Sequence, residues 1–179
     1  MASKKFINEN GAYAFALARI SIGLIFLWAF FDKLIGLGFS TCRDVKTDAV
    51  TTMCDGAWLQ GGSPTTGFLK FGTKGPLASF YQELAGQGWV DLLFMAGLLL
   101  IGTALVFGIA MKLSAITGSL LLLMMWSAAL LPEHHPFIDD HIVYIFVIMG
   151  LAKAGSNQKW SAKNWWSKQQ IVKKYPILA

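Results

Sequence analysis

Cysteine is nearly absent from this chain of 179 residues: Cys42 and Cys54 are the two it has, and they permit one intramolecular pairing. They lack the C-x-x-C spacing that tunes a redox-active dithiol, so a structural disulfide is the favoured reading. Histidine is almost as rare. All three lie between His134 and His141, which leaves no pair on opposing helices to hold a haem. Charged residues amount to 14%, and no stretch interleaves basic and aromatic side chains around a nucleic-acid motif, so nucleic acid is not an expected partner. No small-residue cleavage site follows a short apolar core near the N-terminus, and the first apolar run is expected to be a retained helix. No internal repeat is visible. No apolar run is broken at its middle by Gly or Pro, which argues against a small transporter.

What the chain has is apolar sequence. It is 55% hydrophobic with a mean hydropathy of +0.52, and several runs exceed the roughly 18 residues that mark a membrane-crossing helix. This excludes an ordinary soluble domain. The expected fold is all-α: an integral membrane four-helix bundle within residues 1–155, with spans at 12–36, 89–111, 113–131 and 136–155. A long extracytoplasmic loop, 37–88, joins helices 1 and 2, and a basic interfacial tail, 156–179, follows. Lysines 4, 5, 112, 153, 159, 163, 168, 173 and 174 gather at one end, and most acidic residues at the other. By the positive-inside rule both termini are then cytoplasmic, in a multi-pass protein of the cytoplasmic (inner) membrane in contact with lipid. The loop, lying outside, places Cys42 and Cys54 in an oxidising space, which suits their pairing.

Within the loop, GGSPTTGFLK reads as a helix start with Ser63 as cap and Pro64 at the first helical position. The spacing of Leu77, Phe80, Tyr81 and Leu84 predicts a short amphipathic helix lying flat on the membrane.

Polar residues inside the spans carry the functional reading. Arg19, Gly23, Phe26, Phe30 and Lys33 fall on one face of the first helix, with Trp28 on the other. An arginine this deep must face the bundle, a water-filled cleft or a headgroup. The stretch PEHHPFIDDHIVYIFVIMGLAKAG, 132–155, runs six ionisable residues into an apolar segment too short to cross alone, so Asp139, Asp140 and His141 sit in the first turns of the last span. One reading is structural: carboxylates in a first turn complement the helix dipole, and polar groups at equal depth on neighbouring helices satisfy one another. The other is a pocket at the outer face. Asp32 and Lys33, Asp91, Trp126, Glu133, Asp139, Asp140, His141 and Tyr144 are expected at one depth there. A quinone headgroup needs a donor to each carbonyl and a proton route, and a histidine beside carboxylates supplies one. Lys33, with Arg43 and Lys46, could attract a small oxyanion. Glu133, His134, His135, Asp139 and His141 include good metal-ligand types, but their spacing matches no helix-borne H-E-x-x-H pattern and no metal is expected.

Three blocks, WAFFDKLIGLG (28–38), GGSPTTGFLK (61–70) and PFIDDHIVYIFVIMGLAKAG (136–155), resemble the DoxX/DoxD membrane protein family, and the likeness covers nearly the whole chain. The family includes the membrane subunit of thiosulfate:quinone oxidoreductase, which couples oxidation of thiosulfate to tetrathionate with quinone reduction. The resemblance therefore implies a subunit of a quinone-linked oxidoreductase. Quinone enters as substrate, no tightly bound cofactor is expected, and a second small oxidoreductase subunit or a respiratory complex is the implied partner. On the matching blocks, His141, Asp140 and Asp139 are the candidate catalytic residues. Lys33, Asp32, Arg19, Trp126 and Tyr144 are candidates for binding quinone or substrate. The rival reading is a non-catalytic accessory subunit packed on a respiratory membrane complex.

Overall fold

A computed structural model of the chain describes residues 9–132, 135–154 and 159–178. Those residues form helices and connecting turns, with no strand among them. In chain order the α-helices are α1 (Glu9–Ile35), α2 (Ala78–Glu83), α3 (Gly88–Phe107), α4 (Met111–Ala128), α5 (Asp140–Ala154), α6 (Lys163–Trp166) and α7 (Gln170–Lys174). Three stretches are long and apolar enough to cross a membrane: Gly11–Ile35, Gly88–Phe107 and Met111–Ala128. At 15 residues, α5 is about 22 Å long and is not one of them.

Helices α1 and α3 run antiparallel and in close contact, because glycine faces glycine where they cross. A Cβ on Gly23 would lie 2.8 Å from the Val106 backbone nitrogen and 2.9 Å from the Gly102 carbonyl oxygen. The face expected of α1 is the one buried: Arg19, Ile22, Phe26 and Phe30 turn inward, and Trp28 is exposed. Met95, Leu98, Ile101 and Leu105 of α3 meet them. Met111, Ala115 and Leu122 of α4 and Ile148 and Leu151 of α5 complete the core. Gly118 of α4 lets Ile101 and Ile148 approach from either side. Leu24, Leu93, Leu100, Ile116, Leu120 and Phe146 point outward, the band of apolar surface that lipid covers.

Several boundaries differ from the expected ones. The second apolar helix stops at Phe107 and not at 111, because Gly108 takes a left-handed conformation (φ 64°) that caps it; the turn is Gly108–Ala110, with Lys112 already in the next helix. The last helix begins at Asp140, not at Pro136, since Asp139 supplies its N-cap by accepting the His141 and Ile142 amides at 3.0 and 3.3 Å. The amphipathic segment 77–84 contributes a six-residue helix that does more than lie flat: Tyr81 is buried against Leu69 and Ala128, and its hydroxyl pairs with the Ser127 hydroxyl at 2.6 Å. The tail is likewise not one interfacial helix. It folds into α6, α7 and a closing 3₁₀ turn, Pro176–Leu178, whose last carbonyl accepts the Trp166 indole N–H at 2.6 Å.

The molecule thus has a loop end, where 37–88, 129–132 and 135–139 lie, and a tail end, where α1 begins and the α3–α4 turn meets the tail. At the loop end Cys42 and Cys54 are joined in a disulfide with Cα atoms 5.7 Å apart.

Candidate functional site

Each buried acid at the loop end is answered by its own neighbouring loop. Asp32, in the last turn of α1, is 1% exposed and accepts the amides of Phe39 (2.8 Å) and Ser40 (3.0 Å) and the Ser40 hydroxyl (2.8 Å). Lys33 donates to the same hydroxyl at 2.9 Å. Glycines make this reversal possible: Gly36 and Gly38 have φ of 71° and 80°, and a Cβ on Gly36 would collide with the Cys42 sulfur. Asp91, at the start of α3, is buried and accepts from the Ser63 hydroxyl (2.9 Å) and from the amide and hydroxyl of Thr65. Ser63 also accepts the Thr66 amide at 3.1 Å, the bond a capping serine makes, but the helical turn that follows is the π-turn Phe68–Gly72 and Pro64 is not its first residue. The signal for this network was present in the sequence as a capping serine and a lone acid at a helix entrance; their pairing was not.

Asp139 and His141 form the third group. Besides capping α5, Asp139 places Oδ2 2.7 Å from His141 Nδ1. Both side chains are partly buried, at 20% and 27% exposure, so the imidazole is neither sealed off nor free in water. Its Nε2 has no partner among the described residues. Trp126, near the end of α4, donates its indole N–H to the Phe137 carbonyl at 2.9 Å and holds the segment that leads into α5. Tyr144, one turn below His141, packs against the main core. Asp140 is exposed.

The single outer constellation expected from the sequence is therefore divided. Asp139 and His141 are brought together, as are Asp32 and Lys33, but no hydrogen bond or ion pair among the described residues joins the two pairs to each other or to Asp91. The physical reason is the path of the loops: Phe39 and Ser40 reach Asp32, Ser63 and Thr65 reach Asp91, and the His141 and Ile142 amides reach Asp139 before a side chain on another helix can. Arg43 is committed to Asp48 at 2.6 Å, and Lys46 donates its amide to Asp44. Of the candidate metal ligands, Glu133 and His134 lie outside the described residues. The His135 Nδ1 accepts the amides of Phe137 and Ile138, both at 3.1 Å, and no three His, Cys, Asp or Glu among the described residues gather around a common point.

Arg19 lies at the opposite end. It is fully buried, and its guanidinium donates to the carbonyls of Leu105, Val106 (2.8 Å), Lys159 (3.2 Å) and Trp160 (2.8 Å). It closes the C-terminus of α3 and fastens the tail, packing over Gly108 where any side chain would collide with it. Of the three environments open to a deep arginine, the helix interface is the one realised.

Apolar helices of membrane-crossing length define the class: this is a multi-pass helical membrane protein with a disulfide-tied loop. No family model, curated protein or solved structure matches the chain.

Proposed function

We propose that the protein is the membrane subunit of a quinone-linked oxidoreductase of DoxX/DoxD type, with proton transfer to quinone carried by His141 and Asp139. The observation that carries this reading is the Asp139–His141 pair. One ring nitrogen is tied to a carboxylate at 2.7 Å, and the other has no partner among the described residues, at a partly exposed position on the rim of an apolar helix packing. A carboxylate that fixes the orientation of an imidazole leaves its other ring nitrogen placed to pass a proton. Two thiosulfate ions joining through sulfur release two electrons and form tetrathionate. A quinone that accepts those electrons also takes up two protons, and His141 Nε2 delivers them to the carbonyl oxygens in turn, recharged from outside through exposed Asp140. Lys33 is the contact for an anion or a carbonyl. In this reading α5, extended by the segment ahead of Asp140, is the fourth span of a bundle with both termini in the cytoplasm, and the protein belongs to the cytoplasmic membrane.

The test is thiosulfate-dependent reduction of a soluble quinone by the purified chain, with its partner subunit if one copurifies. His141→Gln is expected to lower turnover by about 10²-fold or more, as for loss of a positioned acid–base group. Asp139→Asn, which keeps the cap but not the charge, should shift the pH profile. Wild-type turnover in a well-folded His141→Gln protein removes the dyad from the mechanism.

A second reading, a non-catalytic subunit packed on a respiratory complex, draws on the loop end. Phe39, Val45 and Phe71 of the 37–88 loop are 74%, 99% and 80% exposed. Comigration with an oxidase after gentle solubilisation, with no intrinsic thiosulfate activity, would favour it.

A further inference from the structure

The tail end encloses a cavity of about 120 Å³ between the α3–α4 turn, Ala152 of α5, and Lys163 and Trp166 of the tail; Lys112 stands on its rim. We infer that this cavity binds the phosphate of an anionic phospholipid, with Lys112 and Lys163 as its two cationic contacts.

Charge comes first. No Asp or Glu follows Asp140 in the chain, and none lies between Asp91 and Glu133, so the elements that wall the cavity carry positive charge and nothing to neutralise it. Neither ammonium group has a hydrogen-bond or ion-pair partner among the described residues, although the two come from elements about 50 residues apart in sequence. The cavity is also built rather than incidental. The Ala162 amide donates to the Phe107 carbonyl at 2.8 Å, and the Ser161 hydroxyl to the Gly108 carbonyl at 2.9 Å. The same serine oxygen accepts the Lys163 amide at 3.1 Å, which fixes the base of that lysine beneath the turn. The Trp166 indole N–H is used by the Leu178 carbonyl, so the tryptophan offers the cavity its ring and no competing donor.

Position then selects a lipid over a soluble anion. Lys112, Ile116 and Leu120 follow one another at i, i+4 on α4 and are all exposed, so the cation heads a continuous apolar track running down a membrane-length helix. A phosphate seated at Lys112 has acyl chains directly below it. Basic pockets between helices at a membrane face bind acidic headgroups in this way.

The experiment measures thermal unfolding and lipid retention of the full chain in a neutral detergent, on adding phosphatidylglycerol, phosphatidylcholine or inorganic phosphate. Phosphatidylglycerol is expected to stabilise and to be retained, and the other two are not. The double variant Lys112→Gln/Lys163→Gln should weaken retention by about fivefold for each lysine removed. The variant Lys173→Gln/Lys174→Gln removes the same charge elsewhere on the tail and should keep the wild-type preference, as should Lys112→Arg/Lys163→Arg. Equal stabilisation by phosphatidylcholine, an undiminished preference in the double Gln variant, or the same shift with inorganic phosphate alone overturns the assignment.

Discussion

Arg19 shows what a single buried charge does when no acid is near it. Its guanidinium has four carbonyl acceptors from two distant segments, and its Nε has no partner among the described residues. Arg19→Met takes away every donor at once and leaves the C-terminal carbonyls of α3 buried without partners. A loss of about 3 kcal/mol is expected. Thermal unfolding measures it, and limited trypsinolysis locates it: cleavage after Lys159 or Lys163 should quicken while the helices stay intact. Arg19→Lys should recover only part, since an ammonium cannot span both segments as a planar fork does. At the same scale, Asp44 in the 37–88 loop accepts the Thr47 and Lys46 amides and the Thr47 hydroxyl, which hold its carboxyl below the ordinary range. A depressed value means the turn is fully supported above the ordinary carboxylate range and loses that support as pH falls through the lowered one. The amide resonances of Lys46 and Thr47 should therefore titrate together, at a pH below that of a free aspartate. Separate titrations, or none, would show that Asp44 does not organise the turn.

Among the elements, the α1–α3 pair depends on the absence of two side chains. Gly102→Val would press a branched side chain onto Leu27 and the Gly23 carbonyl, both within about 3.0 Å of where its Cβ must stand. A loss of about 1–3 kcal/mol is expected, as for overpacking elsewhere. The same change at Gly150, where nothing lies within 4 Å of the added Cβ, serves as the control. The first part of the 37–88 loop carries the disulfide. Its disulfide closes a short ring in sequence, and Cys42→Ser/Cys54→Ser should cost about 2–4 kcal/mol of loop stability. Faster proteolysis within 37–57, with the helical signal preserved, is the expected outcome. Simultaneous loss of the helices would mean that the loop supports the whole packing.

At the scale of the molecule, charge is segregated by end. The tail end collects Arg19, Lys112 and the six lysines from 153 onward, whereas the loop end holds the described acids from Asp32 to Asp140. Under the proposed orientation, a cysteine introduced at Asn164 is shielded from an impermeant thiol reagent in intact spheroplasts, and one at Thr52 is labelled. Both native cysteines are bonded, so neither competes. Labelling of Asn164→Cys from outside would invert the topology and put the Asp139–His141 pair in the cytoplasm.

Much of this architecture was legible in order of residues alone. Apolar length separates membrane-crossing segments from loops, because a hydrocarbon layer tolerates no unpaired backbone and few charges. The inward face of α1 followed from helical spacing, and the cysteine pairing from scarcity and compartment. Partners across the fold were not legible. Asp91 finds Thr65, Arg19 finds carbonyls from residues 105 and 160, and Lys112 and Lys163 line one cavity, because antiparallel packing and a returning tail bring distant segments together. The expected convergence around residue 140 gave way to locally satisfied groups, Asp32 with Phe39 and Ser40 and Asp139 with His141, because the path of the folded backbone decides which donor meets a carboxylate first.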